Sequence, residues 1–289
     1  MITKENFTHS HSHSACVNLY IGLFVITWQL FLILFPIYIF NNYNGHWIFK
    51  IIIAIFSIFF IGTRMRALGN IIHECSHNTF VPKRKDNIKI GKFLCFLDFS
   101  DFNSYKKDHF SHHRFLGDPL RDEDFKERQK IGLFKKDNLK LINIFSIIFS
   151  PKSWFLLSKV NNIFKDINYS KLYKIFYYSF FLLFLGFIIG FINLIFFLII
   201  PFLSSYQMLK LLSDYLDHGA IYFKEKVEFK SRNHIFSISF LNWIFFPRSD
   251  CYHLVHHLHP SVPTTQLAKK HAEIMKNDNE YQRRRHHIC

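Results

Sequence analysis

The sequence predicts an all-α integral membrane protein: four transmembrane helices, arranged as two hairpins, capped by a cytoplasmic helical domain that holds a histidine-rich di-metal site. Three observations carry this expectation. Uncharged apolar runs reach bilayer length, Lys and Arg collect on one side of them, and histidines gather in three short boxes on that same side. With 289 residues, 49% of them hydrophobic and 19% aromatic, the chain is neither an ordinary soluble domain nor disordered. Its 37 phenylalanines accompany abundant Ile, Asn and Lys, a compositional drift that assigns no single Phe a role.

A helix needs about 20 apolar residues to cross the hydrocarbon core. Residues 17–40 supply them without a charge, and residues 47–63 supply a second crossing, with Lys50 able to snorkel outward from near its start. The polar loop between them is short, so the two form a hairpin. Residues 172–212 are too long for one crossing, and Gly186 and Gly190 offer a turn that divides them into spans at 172–188 and 191–212. The apolar pieces at 88–99 and 141–157 are too short or too interrupted to span and read as interfacial helices.

Positive charge sets the orientation, because Lys and Arg collect on the cytoplasmic side. Segment 64–171 is dense in them while the two short connecting loops carry none. Both termini, segment 64–171 and the region from Asp214 onward are therefore expected in the cytoplasm. The formal net charge of +15, in a chain with four spans, points to anionic lipid headgroups and not to nucleic acid, despite the run Arg283-Arg284-Arg285. Five cysteines, Cys16, Cys75, Cys95, Cys251 and Cys289, are odd in number and lack CxxC pairing, so neither a disulfide framework nor a thiolate zinc site is signalled. Residues 1–16, with His9, His11 and His13, read as a polar arm without a removable signal peptide. Residues 276–289 read as a basic tail in which replacing His286 is expected to do little.

Eight of the 18 histidines fall in the three boxes: His73 and His77; His109, His112 and His113; His253, His256 and His257. Helical residues three and four apart share a face, so each box aims several imidazoles into one small volume. The pattern HxxHH arises by chance about 0.07 times in such a chain, and here it occurs twice. His218, four residues after Asp214 and just past the fourth span, is expected to join them as a ninth ligand. Nine imidazoles exceed what one ion takes, so two ions are implied, and imidazole alone does not choose among Fe, Zn, Cu and Ni. The isolated His46, His234 and His271 read as hydrogen-bonded core residues, and His259 as a surface or supporting group.

These residues resemble the membrane fatty acid desaturases and their hydroxylase and ketolase relatives. HxxxH at His73 and His77 and the two HxxHH boxes match in turn, as do the surroundings of the third box through Pro263 and the phrase from Phe110 to Arg114 with Asp118 after it. The resemblance covers residues 17–275, which it marks as a membrane fatty acid desaturase domain. It implies a histidine-ligated non-haem di-iron centre (Fe2+/Fe3+), O2 as co-substrate, and a double bond introduced into a lipid acyl chain. In the family the additional His is often preceded by Asn four residues earlier; Asp214 stands there, as a water-mediated ligand or a supporting group. Two electrons per turnover are expected from a separate ferredoxin or cytochrome b5-like donor, because the 16-residue arm and the short tail hold no haem or flavin module.

Box 1 begins ten residues past Thr63, so a continuing helix places the metals about 15 Å outside the hydrocarbon core. An acyl chain then reaches them through an aromatic-lined tunnel. Glu74, Asp108, Asp217 and Asp250 are candidates to orient imidazole N–H groups. Two rival readings remain in view: hydroxylation or ketone formation at the same centre, and a membrane zinc metalloprotease, since 73–77 is also HExxH with Glu74 as its base. The protease would leave most clustered histidines unused. A metal transporter would place ligands near the bilayer midplane, where these spans carry almost none.

Overall fold

The computed structural model describes residues 16–134, 141–158, 169–219, 221–222 and 224–288, so His9, His11 and His13 lie outside the described residues. Among those described the chain is helical, with no β-strand and a lone bridge between Ile235 and His287. Four helices are long and apolar enough to cross a membrane. The first, α1 (Leu19–Asn42), starts where the Asn18 side chain accepts from Ile21 N–H. The second, α2 (Trp47–His77), starts where the His46 ring accepts from Ile48 N–H. His46 is therefore an exposed cap and not the core residue expected.

At about 1.5 Å per residue, the 31 residues of α2 extend about 46 Å, well beyond a core of about 30 Å. Its C-terminal turns thus stand clear of the bilayer. There it packs against α3 (Arg84–Leu97) and α4 (Phe102–Phe115), with Ile61, Ile71, Leu94, Phe102 and Phe197 in one buried cluster. Next come α5 (Glu123–Lys130), α6 (Leu141–Ile148) and α7 (Pro151–Leu157). Leu141, Ile142, Phe145 and Phe155 on α6 and α7 are exposed, the faces an interfacial segment presents to lipid.

The remaining two spans are α8 (Tyr169–Ile189) and α9 (Phe191–His218). They turn at Gly190, whose φ of +86° suits glycine. Gly186 lies inside α8, where a Cβ would strike the Phe191 ring, so it permits the close return and does not make the turn. Pro201 has no N–H to give back, and the helix widens into a π turn over Ile195–Ile199 just before it. The helix then continues to His218, past the expected limit at 212.

Beyond the spans lie α10 (Ser239–Phe245), α11 (His253–Leu258), α12 (Leu267–Asn277) and α13 (Asn279–Gln282). One side of α2 pins this region. The buried Arg64 donates to Trp243 O at 2.6 Å with its guanidinium 3.9 Å from the Trp243 ring centroid. Arg66 pairs with Asp250 at 2.7 Å, and Asn70 donates to Pro247 O at 2.7 Å. Arg248, left-handed at φ +63° and followed by Ser249 at +60°, pairs with Glu74. Such conformations cost a non-glycine residue free energy that surrounding contacts must supply.

Residues 276–289 were expected as a basic tail in which His286 matters little, and the structure gives that histidine buried surroundings. Tyr281 and His286 are buried, Ile235 N–H donates to His286 O at 3.0 Å, and Ile288 N–H donates to Ile235 O at 3.1 Å. Arg283 and Arg285 are exposed, Arg284 lies over the Phe229 ring and pairs with Glu225, and Tyr281 and His286 are buried, a division that a charge count does not reveal.

The tightest span contact yields a test. A Cβ on Gly62 would meet the Tyr206 backbone N at 2.8 Å and Ser205 Oγ closer still. Gly62→Ala should therefore destabilise the α2–α9 contact by about 1–3 kcal/mol, read as a lower thermal midpoint in detergent. An unchanged midpoint would contradict this packing.

Candidate metal centre

Each histidine box sits on a helix whose periodicity decides where its rings go. On α2, His73 and His77 are one turn apart; on α4, His109 and His113 share a face while His112 is offset; on α11, His253 and His257 share a face and His256 is offset. α9 delivers His218 at its last turn. The result is two groups whose candidate ligand atoms lie within 4.8 Å of one another: His73, His77, His109, His113 and His256, and His112, His218, His253 and His257. All nine histidines singled out by the sequence are thus together. The two HxxHH boxes each serve both groups, so the groups share α4 and α11, while α2 serves only the first and α9 only the second.

The ring nitrogens meet one another. His73 Nε2 lies 3.0 Å from His256 Nε2, His77 Nε2 2.7 Å from His109 Nε2, and His113 Nε2 3.0 Å from both His109 and His256 Nε2. In the second group His253 Nε2 is 3.0 Å from His218 Nε2 and 2.9 Å from His257 Nε2. One ring nitrogen carries at most one proton, directed along its own ring plane, so converging nitrogens cannot all satisfy one another by hydrogen bonds. Two nitrogens bound at right angles to one ion at about 2.1 Å would stand about 3 Å apart. The donor set fits a metal ion in each group.

The far sides of several rings are held. Asp122, fully buried, lies 3.0 Å from His112 Nδ1 and also accepts from Gly117 and Phe125 N–H. His218 Nδ1 donates to Lys230 O at 2.8 Å, and Tyr222 stacks on the same ring at 4.8 Å. Tyr105 stacks on His109 at 5.8 Å. A backbone carbonyl leaves no mark in a sequence, whereas the buried Asp122, ten residues after His112, was open to notice and was missed.

The five carboxylates expected around the rings part company. Asp217 lies 3.6 Å from His253 Nδ1 and 3.2 Å from His234 Nδ1, between the two rings. Asp108 and Asp214 line the cavity beside them, and Asp214 accepts from Arg128 Nε at 2.7 Å. Asp250 accepts from Arg66 and, at 3.3 Å, from Ser213 Oγ. Glu74 does not orient an imidazole: its carboxylate takes Arg248 and, at 2.7 Å, Thr264 Oγ1. It sits on the face of α2 turned toward the 247–264 segment. The same contacts remove it as the free base that a zinc protease would need.

Burial lowers the pKa of His109, His113, His253, His256 and His257, and neighbouring imidazoles add to the effect. At His112 burial also lowers it, but the Asp122 hydrogen bond and charge outweigh that and leave it raised. Neutral rings offer lone pairs to a cation. A polar cavity of about 330 Å³ runs along His73, His109, His112, His218 and His253, and an apolar cavity of about 450 Å³ lies between α1, α2, α3, α8 and α9. Both are lined by Gly69, Ile72, Asp98, Phe99, Tyr178 and Tyr206. Leu and Ile outnumber aromatics in the apolar one, which is therefore less aromatic than the lining expected for an acyl passage.

Fold and site together define a helical membrane protein with a histidine-rich centre suited to metal. The fatty acid desaturase family matches residues 46–288, and the chain belongs to that family. It is similar to the dihydrorhizobitoxine desaturase of Bradyrhizobium elkanii, 28% identical in a match 233 positions long that covers 74% of this chain and 65% of that protein. The match therefore spans just under two thirds of the relative's length. Membership supports a desaturase-type oxidoreductase.

Two tests follow from the geometry. An imidazole depressed by folding stays neutral while its unfolded counterpart, with a pKa of about 6.5, takes up a proton. The metal-free protein should hold this stability above about pH 6.5 and lose it as pH falls toward 5, read as a falling thermal midpoint; a midpoint that rises over that interval would contradict the burial of neutral rings. Asp122→Ala should weaken metal binding at the four-histidine group by about 10–100-fold and largely spare the five-histidine group. Equal losses at both, by metal titration, would show that Asp122 does not act through His112.

Proposed function

We propose that this chain is an O2-dependent desaturase that introduces a double bond into the acyl chain of a lipid. The observation that carries the reading is the apolar cavity between the spans, which shares six lining residues with the polar cavity along the histidines. His73, His77, His109, His113 and His256 would hold one iron ion, and His112, His218, His253 and His257 the other. Bound there, the iron pair supplies the oxidising power toward unactivated C–H bonds that no side chain possesses. The overall reaction balances as –CH2–CH2– plus O2, two electrons and two protons giving –CH=CH– and two waters.

The chain's own residues do the rest. Leu30, Ile33, Leu68, Leu94, Leu182 and Leu198 line the apolar arm and would hold the acyl chain away from water. Phe99, Tyr178 and Tyr206 lie where the two cavities share walls and would set the direction in which it passes the metals. Lys230 O takes the Nδ1 proton of His218 and leaves Nε2 facing inward, and Asp122 does the same for His112. Asp214, Asp108, Asp217 and Asp250 would tune the polar cavity, Asp214 and Asp250 with their charges shared by Arg128 and Arg66.

In this reading the protein crosses the membrane four times, with the histidines and both ends of this chain on the cytoplasmic side, as the positive-inside rule requires. A ferredoxin or cytochrome b5-like protein would dock on the basic face to deliver electrons. A hydroxylase or ketolase would use the same centre and differ only in the fate of the second hydrogen. The protease reading loses its support with Glu74 committed to Arg248 and Thr264.

Expression in a host lacking the activity, followed by gas chromatography and mass spectrometry of its lipids, tests the proposal. A product lighter by two hydrogens is expected, and a product heavier by one oxygen would instead indicate hydroxylation. His77→Ala, His112→Ala and His256→Ala should each abolish the product while the protein remains in the membrane. Near-normal activity in any of them would remove that ring from the centre.

A further inference from the structure

The third histidine box lies on α11, a helix of six residues, too short to hold its shape by its own hydrogen bonds. Its preceding residue, Tyr252, offers no side-chain cap. The missing cap arrives from elsewhere in the chain. Asn233, 2% exposed, accepts from Leu254 N–H at 3.0 Å and Val255 N–H at 3.4 Å through its Oδ1. These are donors of the first helical turn, which otherwise find no partner.

The Asn233 amide is itself fixed from below. Its Nδ2 donates to Tyr281 Oη at 2.7 Å and to His286 Nδ1 at 3.0 Å, so both hydrogens are used. Tyr281 Oη can then donate to His271 Nδ1, 2.7 Å away, and His286 Nε2 donates to Tyr281 O at 2.8 Å. The two backbone bonds between Ile235 and 286–288 hold the strands of this network side by side. Flipping the amide would set its NH2 against two N–H donors of α11. One orientation satisfies the network, and it presents oxygen to the helix.

We propose that Asn233 is a positioning residue for the third histidine box, and that residues 281–288, folded back beneath it, are the strut that holds it. It acts through the backbone of α11, not through an imidazole. Because α11 gives His253 and His257 to one group and His256 to the other, a change in its angle disturbs both groups at once. The proposal rests on the reading of those groups as metal sites. It assigns a role to the segment that charge alone marked as a basic tail.

The test uses the full purified chain in detergent, stripped of metal and titrated with Co(II), with visible absorption as the reporter of ligand geometry. Asn233→Ala should raise the apparent Kd of both groups by about 10–100-fold and change the absorption spectrum. Tyr281→Phe, which keeps the ring but removes the hydroxyl, should shift both readings in the same direction, and it decides the matter if Asn233→Ala does not fold. His286→Ala should do likewise, whereas His286→Gln should restore them, because glutamine can accept from Asn233 and donate to Tyr281 O. Wild-type affinity and spectrum in Tyr281→Phe and His286→Ala, with only a lowered thermal midpoint, would overturn the proposal while leaving the metal reading intact. A wild-type chain that binds no Co(II) would overturn the metal reading and this proposal with it.

Discussion

Nine imidazole rings gathered into two groups, with the candidate ligand atoms of each group within 4.8 Å and several ring nitrogens only about 3 Å apart, set the constraint from which the rest of this structure follows. Such a cluster is unfavourable alone. Protonating its rings places like charges side by side in a desolvated volume, and leaving them neutral points lone pairs at lone pairs. A cation in each group resolves both difficulties. Until it arrives, the surroundings must keep the rings neutral and aimed, which Lys230 O and the helical spacing of α2, α4 and α11 do, while Asp122 aims His112.

The long α2 couples this centre to the membrane. Its first two thirds cross the bilayer, its last turns carry His73 and His77, and the side bearing Arg64, Arg66, Asn70 and Glu74 pins the segment that leads into the third box. A shift of α2 along its axis would move His73 and His77, the contacts that hold the segment leading into the third box, and Gly69 and Ile72, which line both cavities. The same element therefore sets the geometry of the apolar cavity and of the histidine groups, which suits the proposed passage of an acyl chain from the bilayer to a polar centre.

Local pattern made much of this legible in the sequence. The spans emerge from uninterrupted apolar length, eight of the nine histidines from box spacing and His218 from its place just past the fourth span, so the fold class and the clustered histidines are visible before any coordinates, whereas their division into groups of five and four is not. Long-range partners are not. Glu74 and Arg248 are 174 residues apart, Asn233 and Tyr281 are 48 apart, and nothing in either neighbourhood announces the pairing. The Lys230 carbonyl carries no residue identity at all. Charge said too little at the C-terminus, where Arg283, Arg284 and Arg285 mark a basic tail but do not reveal that Tyr281 and His286 on either side of them are buried and bonded to each other. Periodicity encodes which face a residue occupies; it does not encode which distant segment covers that face.

The central claim is that the clustered imidazoles hold two iron ions. X-ray absorption at the iron edge, on protein purified with iron retained and quantified, addresses it most directly. The account predicts two irons per chain with nitrogen neighbours at about 2.1 Å and multiple-scattering features of imidazole. One zinc per chain, or iron surrounded by sulfur or mainly by carboxylate oxygen, would contradict it.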